Sequence, residues 1–180
     1  MTVEELIEAA RGGDQRAWNE IVDRFQGLIW ATARAHRLSS ATAADVVQTV
    51  WLRLLENLDR IREPERLGAW LATTARHECL RHIRLDARET PAFDEMIFER
   101  VSDQPVETEL LTRERSAALR RAFGTIGERC QALLRMLAAV SSYEEISAAL
   151  GMPVGAIGPT RARCLEKLRR SPELAGLGQP

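Results

Sequence analysis

No apolar run of about 18 residues occurs in the chain, and no secretory-leader pattern opens it, so a soluble, cytoplasmic protein without membrane insertion is expected. Cysteine is scarce. Cys79, Cys130 and Cys164 are odd in number and lack CxxC spacing, which argues against both a disulfide framework and a zinc site. Lysine is nearly missing, with Lys167 alone among 25 basic residues, a bias that speaks of codon usage more than of function. There is no glycine-rich phosphate loop, nucleophile motif or metal-spaced cluster. His77, Cys79 and His82 stand at i, i+2 and i+5, pointing around a helix rather than along one face, so they do not suggest a shared ion. The expectation is a non-enzyme with no catalytic residues, no metal and no cofactor. A net charge of −1 and a pI near 6.3 are also poor for a free-standing DNA binder.

What is present is ordinary globular composition, 45% hydrophobic and 28% charged over 180 residues, enough for one medium or two small domains. Local charge is less even. Glu89, Asp94, Glu95, Glu99, Asp103, Glu107 and Glu109 face a lone Arg100, whereas Arg161, Arg163, Lys167, Arg169 and Arg170 face a lone Glu166. The chain has an acidic middle and a basic end.

Helical signals fill the rest. Thr2-Val3-Glu4-Glu5 reads as a capping box opening a short helix that ends at Gly12-Gly13. Asp14 can cap a longer one, with Trp18, Ile21, Val22, Phe25, Leu28 and Ile29 on one face. After a Ser39-Ser40 turn, Val46, Val47, Val50, Trp51, Leu54 and Leu55 form a second apolar stripe, and the two stripes predict an antiparallel pair. The opposite face collects Asp45, Gln48, Thr49, Leu52, Arg53 and Glu56; a leucine ringed by polar groups suits docking onto a partner. Pro64 predicts a loop from Leu58 to Arg66. Helix resumes with Leu67, Trp70, Leu71, Thr74 and Ala75 inward, so Trp70 is expected in the core. Arg76, His77, Arg81, Arg84 and Arg88 lie outward. Pro91 and Pro105 mark a linker, with a helical turn allowed around Asp94 to Arg100.

Beyond the linker, Leu110, Leu111, Leu119, Ala122 and Phe123 predict a helix stopping near Gly124. Thr125-Ile126-Gly127-Glu128 offers a capping box for the next, on which Cys130, a core thiol, precedes Leu133, Leu134 and Leu137. Ser142-Tyr143-Glu144-Glu145 opens a short helix that Gly151 ends, and a basic helix follows with Ile157, Cys164, Leu165 and Leu168 inward. Short helix, glycine turn and basic helix make a helix-turn-helix, which implies duplex DNA. Pro159 lacks a backbone donor, so the second helix is expected to kink there or begin later, near Gly158.

Asp45-Val-Val-Gln-Thr-Val-Trp-Leu-Arg-Leu54 resembles the polymerase-binding helix of the extracytoplasmic-function sigma factors of bacterial RNA polymerase. Ser142-Tyr-Glu-Glu-Ile-Ser-Ala-Ala-Leu-Gly-Met-Pro153 is close to the helix-turn-helix of the same family. The resemblance implies an all-α chain: a region-2-like domain over 1–88, an acidic linker over 89–108, a region-4-like domain over 109–172 and a tail over 173–180. It matches Asp45 and Gln48 to contacts with the clamp helices of the polymerase largest subunit, within the face that also holds Thr49, Leu52, Arg53 and Glu56. It assigns the −10 element to the loop and following helix, with Arg60, Arg62, Arg66, Arg76, Arg81 and Arg84 as candidates. It places the −35 element on the last basic helix, with Pro159, Thr160, Ala162, Arg163 and Lys167 outward and Arg163 the choice for a guanine contact. The helices around Cys130 match the segment that meets the flap of the second subunit.

The family pattern is not followed throughout. Gly158, Pro159 and Thr160 replace the usual basic residues, and Arg161 falls on the inward stripe, where it should snorkel or pair with Glu144 or Glu145. The acidic linker is expected to stand in for RNA against basic channel walls. Partners implied are core polymerase, promoter DNA and an anti-sigma factor, although no residue identifies the last. The alternative is a free-standing helix-turn-helix regulator, which predicts a palindromic site bound without polymerase.

Overall fold

The Thr2 hydroxyl accepts the Glu5 amide at 3.2 Å while the Glu5 carboxylate accepts the Thr2 amide at 2.8 Å, and this reciprocal cap starts α1 (Val3–Arg11). Gly12 closes the helix and Gly13, at φ 85°, turns the chain where a side chain would be strained. Asp14 then caps α2 (Gln15–Ala35) through the Arg16 amide at 2.8 Å. Ser39 caps α3 (Ser40–Asn57) through the Thr42 amide. Trp18, near the start of α2, meets Trp51, near the end of α3, edge to face at 6.3 Å, so the two helices run antiparallel as their stripes require. Two 3-10 turns, Leu58–Arg60 and Pro64–Arg66, occupy the expected loop, and α4 (Leu67–Glu89) follows.

The computed structural model describes residues 1–89, 109–140 and 142–175, without the side chains of 88–89, 109–115 and 175. The linker turn around Asp94 to Arg100 and the placing of the Arg88, Leu110 and Leu111 side chains lie outside the described residues. The second half contains α5 (Glu109–Thr125), α6 (Glu128–Ala139), α7 (Tyr143–Leu150), α8 (Val154–Arg169) and a last turn, α9 (Pro172–Ala175); no strand occurs among the described residues.

The two halves share one core. α7 packs on α4 and α6 packs on α2. Leu133, Met136, Ile146 and Ile157 are fully buried in one cluster with Ile21, Ile29, Leu67 and Leu71. Each such side chain contributes about 1.5–3 kcal/mol, so apolar burial outweighs the exposed Arg37–Glu128 ion pair at the rim. Arg37 itself takes the left-handed conformation, φ 59°, to end α2.

Several expectations need correction. Thr125 does not cap α6: its hydroxyl donates to the Ala122 carbonyl, α5 runs through Gly124, and Gly127 stands at the N-cap. The buried Gln131 amide satisfies the intervening turn instead, donating to the Ile126 carbonyl at 2.8 Å. α8 neither begins late nor breaks: it starts at Val154 and runs through Pro159. Gly158, lacking Cβ, leaves room for the proline ring, so the interruption is confined to one missing hydrogen bond. Cys130 is not a free thiol. It is bonded to Cys164, joining α6 to α8 with Cα atoms 5.3 Å apart and the two residues 34 positions apart in sequence. Cysteine count and spacing cannot show that two helices will bring their cysteines together. On a chain-entropy account a loop of that length stabilises the fold by about 4 kcal/mol.

Candidate functional site

The inward line of α3 is Ala43, Val46, Val50 and Leu54, all buried. That line sits further round than the whole apolar stripe suggests, so Leu55, expected in the core, is 58% exposed, beside Leu52 at 53%. Asp45, Gln48, Arg53 and Glu56 are exposed around them, and Thr49 is half-buried with its hydroxyl donating to the Asp45 carbonyl. The predicted face therefore carries two leucines rather than one. Such a neighbouring apolar pair framed by acid and amide groups has the composition expected of a compact docking surface.

A residue missed at the sequence level underlies this face. Glu78 of α4 has a side chain only 5% exposed, and its carboxylate takes Arg53 of α3 at 2.6 Å and Arg81 of α4 at 2.8 Å. Two charge-assisted bonds offset much of the cost of burying the carboxylate. The signal was available: Glu78 stands three and seven residues beyond Ala75 and Leu71, on the buried line.

The loop is held from an unexpected quarter. Arg11, in the last turn of α1, donates through Nε and Nη2 to the Leu58 carbonyl, each at 3.1 Å, and through Nη2 to the Ile61 carbonyl at 2.7 Å. The 3-10 turn that ends at Arg60, two residues before Arg62, is thereby fixed by a side chain 47 to 50 positions earlier. Nothing local in the sequence advertises this.

Arg60, Arg62, Arg66, Arg81 and Arg84 are exposed, with Arg66 paired to Glu63 at 2.9 Å. Arg76 is not on their surface. It is half-buried beneath the α7–α8 turn, where a Cβ on Gly151 would stand 2.9 Å from Nη1, and its buried Nε has no hydrogen-bond partner. Trp70 reverses the other way: expected in the core, it is 36% exposed. Small residues explain the shift, because Gly68, Ala72, Ala75 and Cys79 turn inward and let α4 approach α2 and α7 closely. At about 100° per residue, Trp70, Thr74, His77, Arg81 and Arg84 share one outward face. At about 1.5 Å per residue it runs for about 21 Å from Trp70 to Arg84, long enough to follow a nucleic-acid backbone.

In the second half, the Ser142 hydroxyl accepts the Glu145 amide to start α7, and Gly151, at φ 62°, ends it in the left-handed region. Ser147 donates to the Met152 carbonyl at 2.6 Å and tightens the turn. Ile157 and Cys164 of α8 are buried, Leu165 and Leu168 half-buried. Pro159, Ala162, Arg163 and Lys167 are exposed as expected; Thr160 is half-buried and accepts from Arg163 at 3.3 Å. Arg161 is also exposed and makes no ion pair with Glu144 or Glu145; at about 100° per residue it stands on the flank of α8 away from Arg163. Cys79 lies in the α4 core, where burial pushes its thiol up to about 12, while His77 points to solvent.

Residues 21–89 match the family model Sigma-70 region 2. The ECF RNA polymerase sigma-E factor of Escherichia coli K12 is 27% identical over 168 residues, 87% of each chain, and that of Salmonella typhimurium LT2 is similar to the same extent. Among solved structures, CnrH in complex with the cytosolic domain of CnrY superposes with a TM-score of 0.59 at 22% identity, covering 97% of each chain. The sigma factor RpoE bound to the anti-sigma factor NepR from Bartonella quintana superposes at 0.58 with 21% identity, over 90% of this chain and 98% of that one.

Proposed function

We infer the task of this chain from its family: it is an extracytoplasmic-function sigma factor, a non-enzymatic protein that binds core RNA polymerase and directs it to promoters for initiation. Its place of work is the cytoplasm, where core polymerase acts. Among the described residues no helix is long and apolar enough to cross a membrane.

The residue roles are proposals built on that premise. Leu52 and Leu55 pack against the clamp helices of the largest subunit while Asp45, Gln48, Thr49, Arg53 and Glu56 supply the polar rim. The loop arginines Arg60, Arg62 and Arg66, with Arg81 and Arg84 on α4, hold the −10 strand, and Trp70 on the same face offers a ring on which an unpaired base can stack. Arg76 serves there only once the Gly151 turn moves away. Pro159, Thr160, Ala162, Arg163 and Lys167 meet the −35 duplex, and α5–α6 meet the flap. Residues 1–88 and 109–172 act as the two functional domains, joined by the acidic 89–108. Because both structural relatives were solved with a second protein bound, one of them named an anti-sigma factor, a partner of that class is proposed here too.

The observation that carries the docking role is the exposed Leu52–Leu55 pair within the polar rim of α3. The test adds purified protein to sigma-free core polymerase and scores promoter-directed RNA. Asp45→Ala with Gln48→Ala should lose core binding while helix content stays unchanged; full initiation by that variant would remove these two contacts from the account. Tight binding of the chain alone to a palindromic duplex would favour the regulator alternative instead.

A further inference from the structure

We propose that Cys130 and Cys164 form a reversible oxidation site, and that its state sets how firmly α8 is ordered. The inference rests on the reading above of α8 as the DNA-reading helix only where promoter use is measured.

Three features of the fold point to this. First, the bond ties the middle of α8 to α6, across 34 residues of chain. Second, the first half of α8 is a poor helix by itself. Val154-Gly155-Ala156-Ile157-Gly158-Pro159 contains two glycines and a proline that cannot donate, so tertiary attachment has to hold it. Ile157 anchors it on one side and the Cys164 bond further along. Third, the two sulfurs differ in access: Cys130 is half-exposed, whereas Cys164 is 1% exposed. A thiol reagent can therefore reach one and not the other.

A protein that works beside cytoplasmic polymerase sits where thiols are kept reduced, so a disulfide there is made and unmade rather than permanent. The chemistry balances with a low-molecular-weight disulfide as oxidant. The Cys130 thiolate attacks one sulfur and expels one thiolate. The Cys164 thiolate then attacks the mixed disulfide at the Cys130 sulfur, expelling the second thiolate; two protein thiols are oxidised and one small disulfide is reduced to two thiols. The remaining cysteine, Cys79, is fully buried in the first half and takes no part.

The experiment treats the full chain with oxidised glutathione or with dithiothreitol. After denaturation and alkylation, one labelled cysteine is expected in the oxidised chain and three in the reduced chain. Amide exchange over 154–163 should quicken by at least ~10-fold on reduction, with 3–11 unchanged. With core polymerase added, initiation from a promoter that depends on its −35 element should fall severalfold on reduction. Cys130→Ser and Cys164→Ala should each stay at the reduced level in both conditions. Three labelled cysteines after oxidation, or equal exchange in the two redox states, overturns the proposal. No initiation in either state would instead overturn the polymerase reading, while labelling and exchange still decide the oxidation site.

Discussion

The carboxylate of Glu145 lies against the backbone of Gly68, so close that a Cβ at position 68 would stand 2.0 Å from Oε1. Glu145 lies in the first turn of α7 and Gly68 in the first turn of α4, so the contact joins the two halves of the chain. Burial, reinforced by Glu144, pushes the Glu145 carboxyl above the usual range.

Gly68→Ala should therefore act against its own helix propensity. Alanine alone would stabilise α4 by about 1 kcal/mol, but the methyl must first displace the carboxylate. Little or no rise in Tm is expected for the single variant. The full gain should emerge only in Gly68→Ala with Glu145→Ala. Equal gains in single and double variants, by thermal melting, would show that the carboxylate is not confined there.

Arg11→Ala leaves the Leu58 and Ile61 carbonyls without their guanidinium. Hydrogen bonds to a charged donor are worth about 1.5–3 kcal/mol, so a loss of about 2 kcal/mol is expected by urea titration. The functional consequence is more selective. Use of the −10 element should suffer while affinity for core polymerase stays, because the loop moves and α3 does not. A parallel drop in both would mean that Arg11 is only a general support.

Glu78→Gln keeps the shape but removes the charge that engages Arg53 and Arg81. A cost of about 1–3 kcal/mol is expected, since both arginines are half-exposed and can turn to water. Arg81, released, should add about one unit to the salt slope of promoter binding by the holoenzyme. An unchanged slope would place Arg81 away from phosphate.

His36 gives a pH dependence. Burial lowers its pKa below the ordinary 6.5, partly offset by a 2.8 Å hydrogen bond with the Thr32 carbonyl, and the Arg76 charge lowers it further. With the folded value depressed, the unfolded chain binds more protons between the two values, so stability is intact above about 6.5 and declines as pH falls through the folded value. Glu145, shifted upward, acts with the opposite sign at lower pH, where the folded chain holds the extra proton. Comparing His36→Gln with the parent separates them: denaturation at pH 7.5, 6.5 and 5.5 should show the steeper loss in the parent. Parallel curves would mean that His36 carries no such dependence.

Helix order, the Gly12-Gly13 stop, the Ser142 cap and the Gly151 turn were legible because each depends on a few neighbouring residues. The first-half faces were legible to within one residue of rotation. That small error matters: it hid Leu55 on the outer face of α3 and put Trp70 in the core, since periodicity weighs large apolar residues and overlooks the small ones that let helices approach. Arg11, Glu78 and the Cys130–Cys164 bond were not legible as partners, because each joins elements that only the tertiary fold brings together. Arg76 failed for the same reason: its cover, the Gly151 turn, arrives from 75 positions further along the chain.

That cover implies a rule of exclusion. A guanidinium lying under the α7–α8 turn cannot at the same moment neutralise a phosphate, so under the role proposed for Arg76 above, holding the −10 strand and keeping the packed form would compete for one side chain.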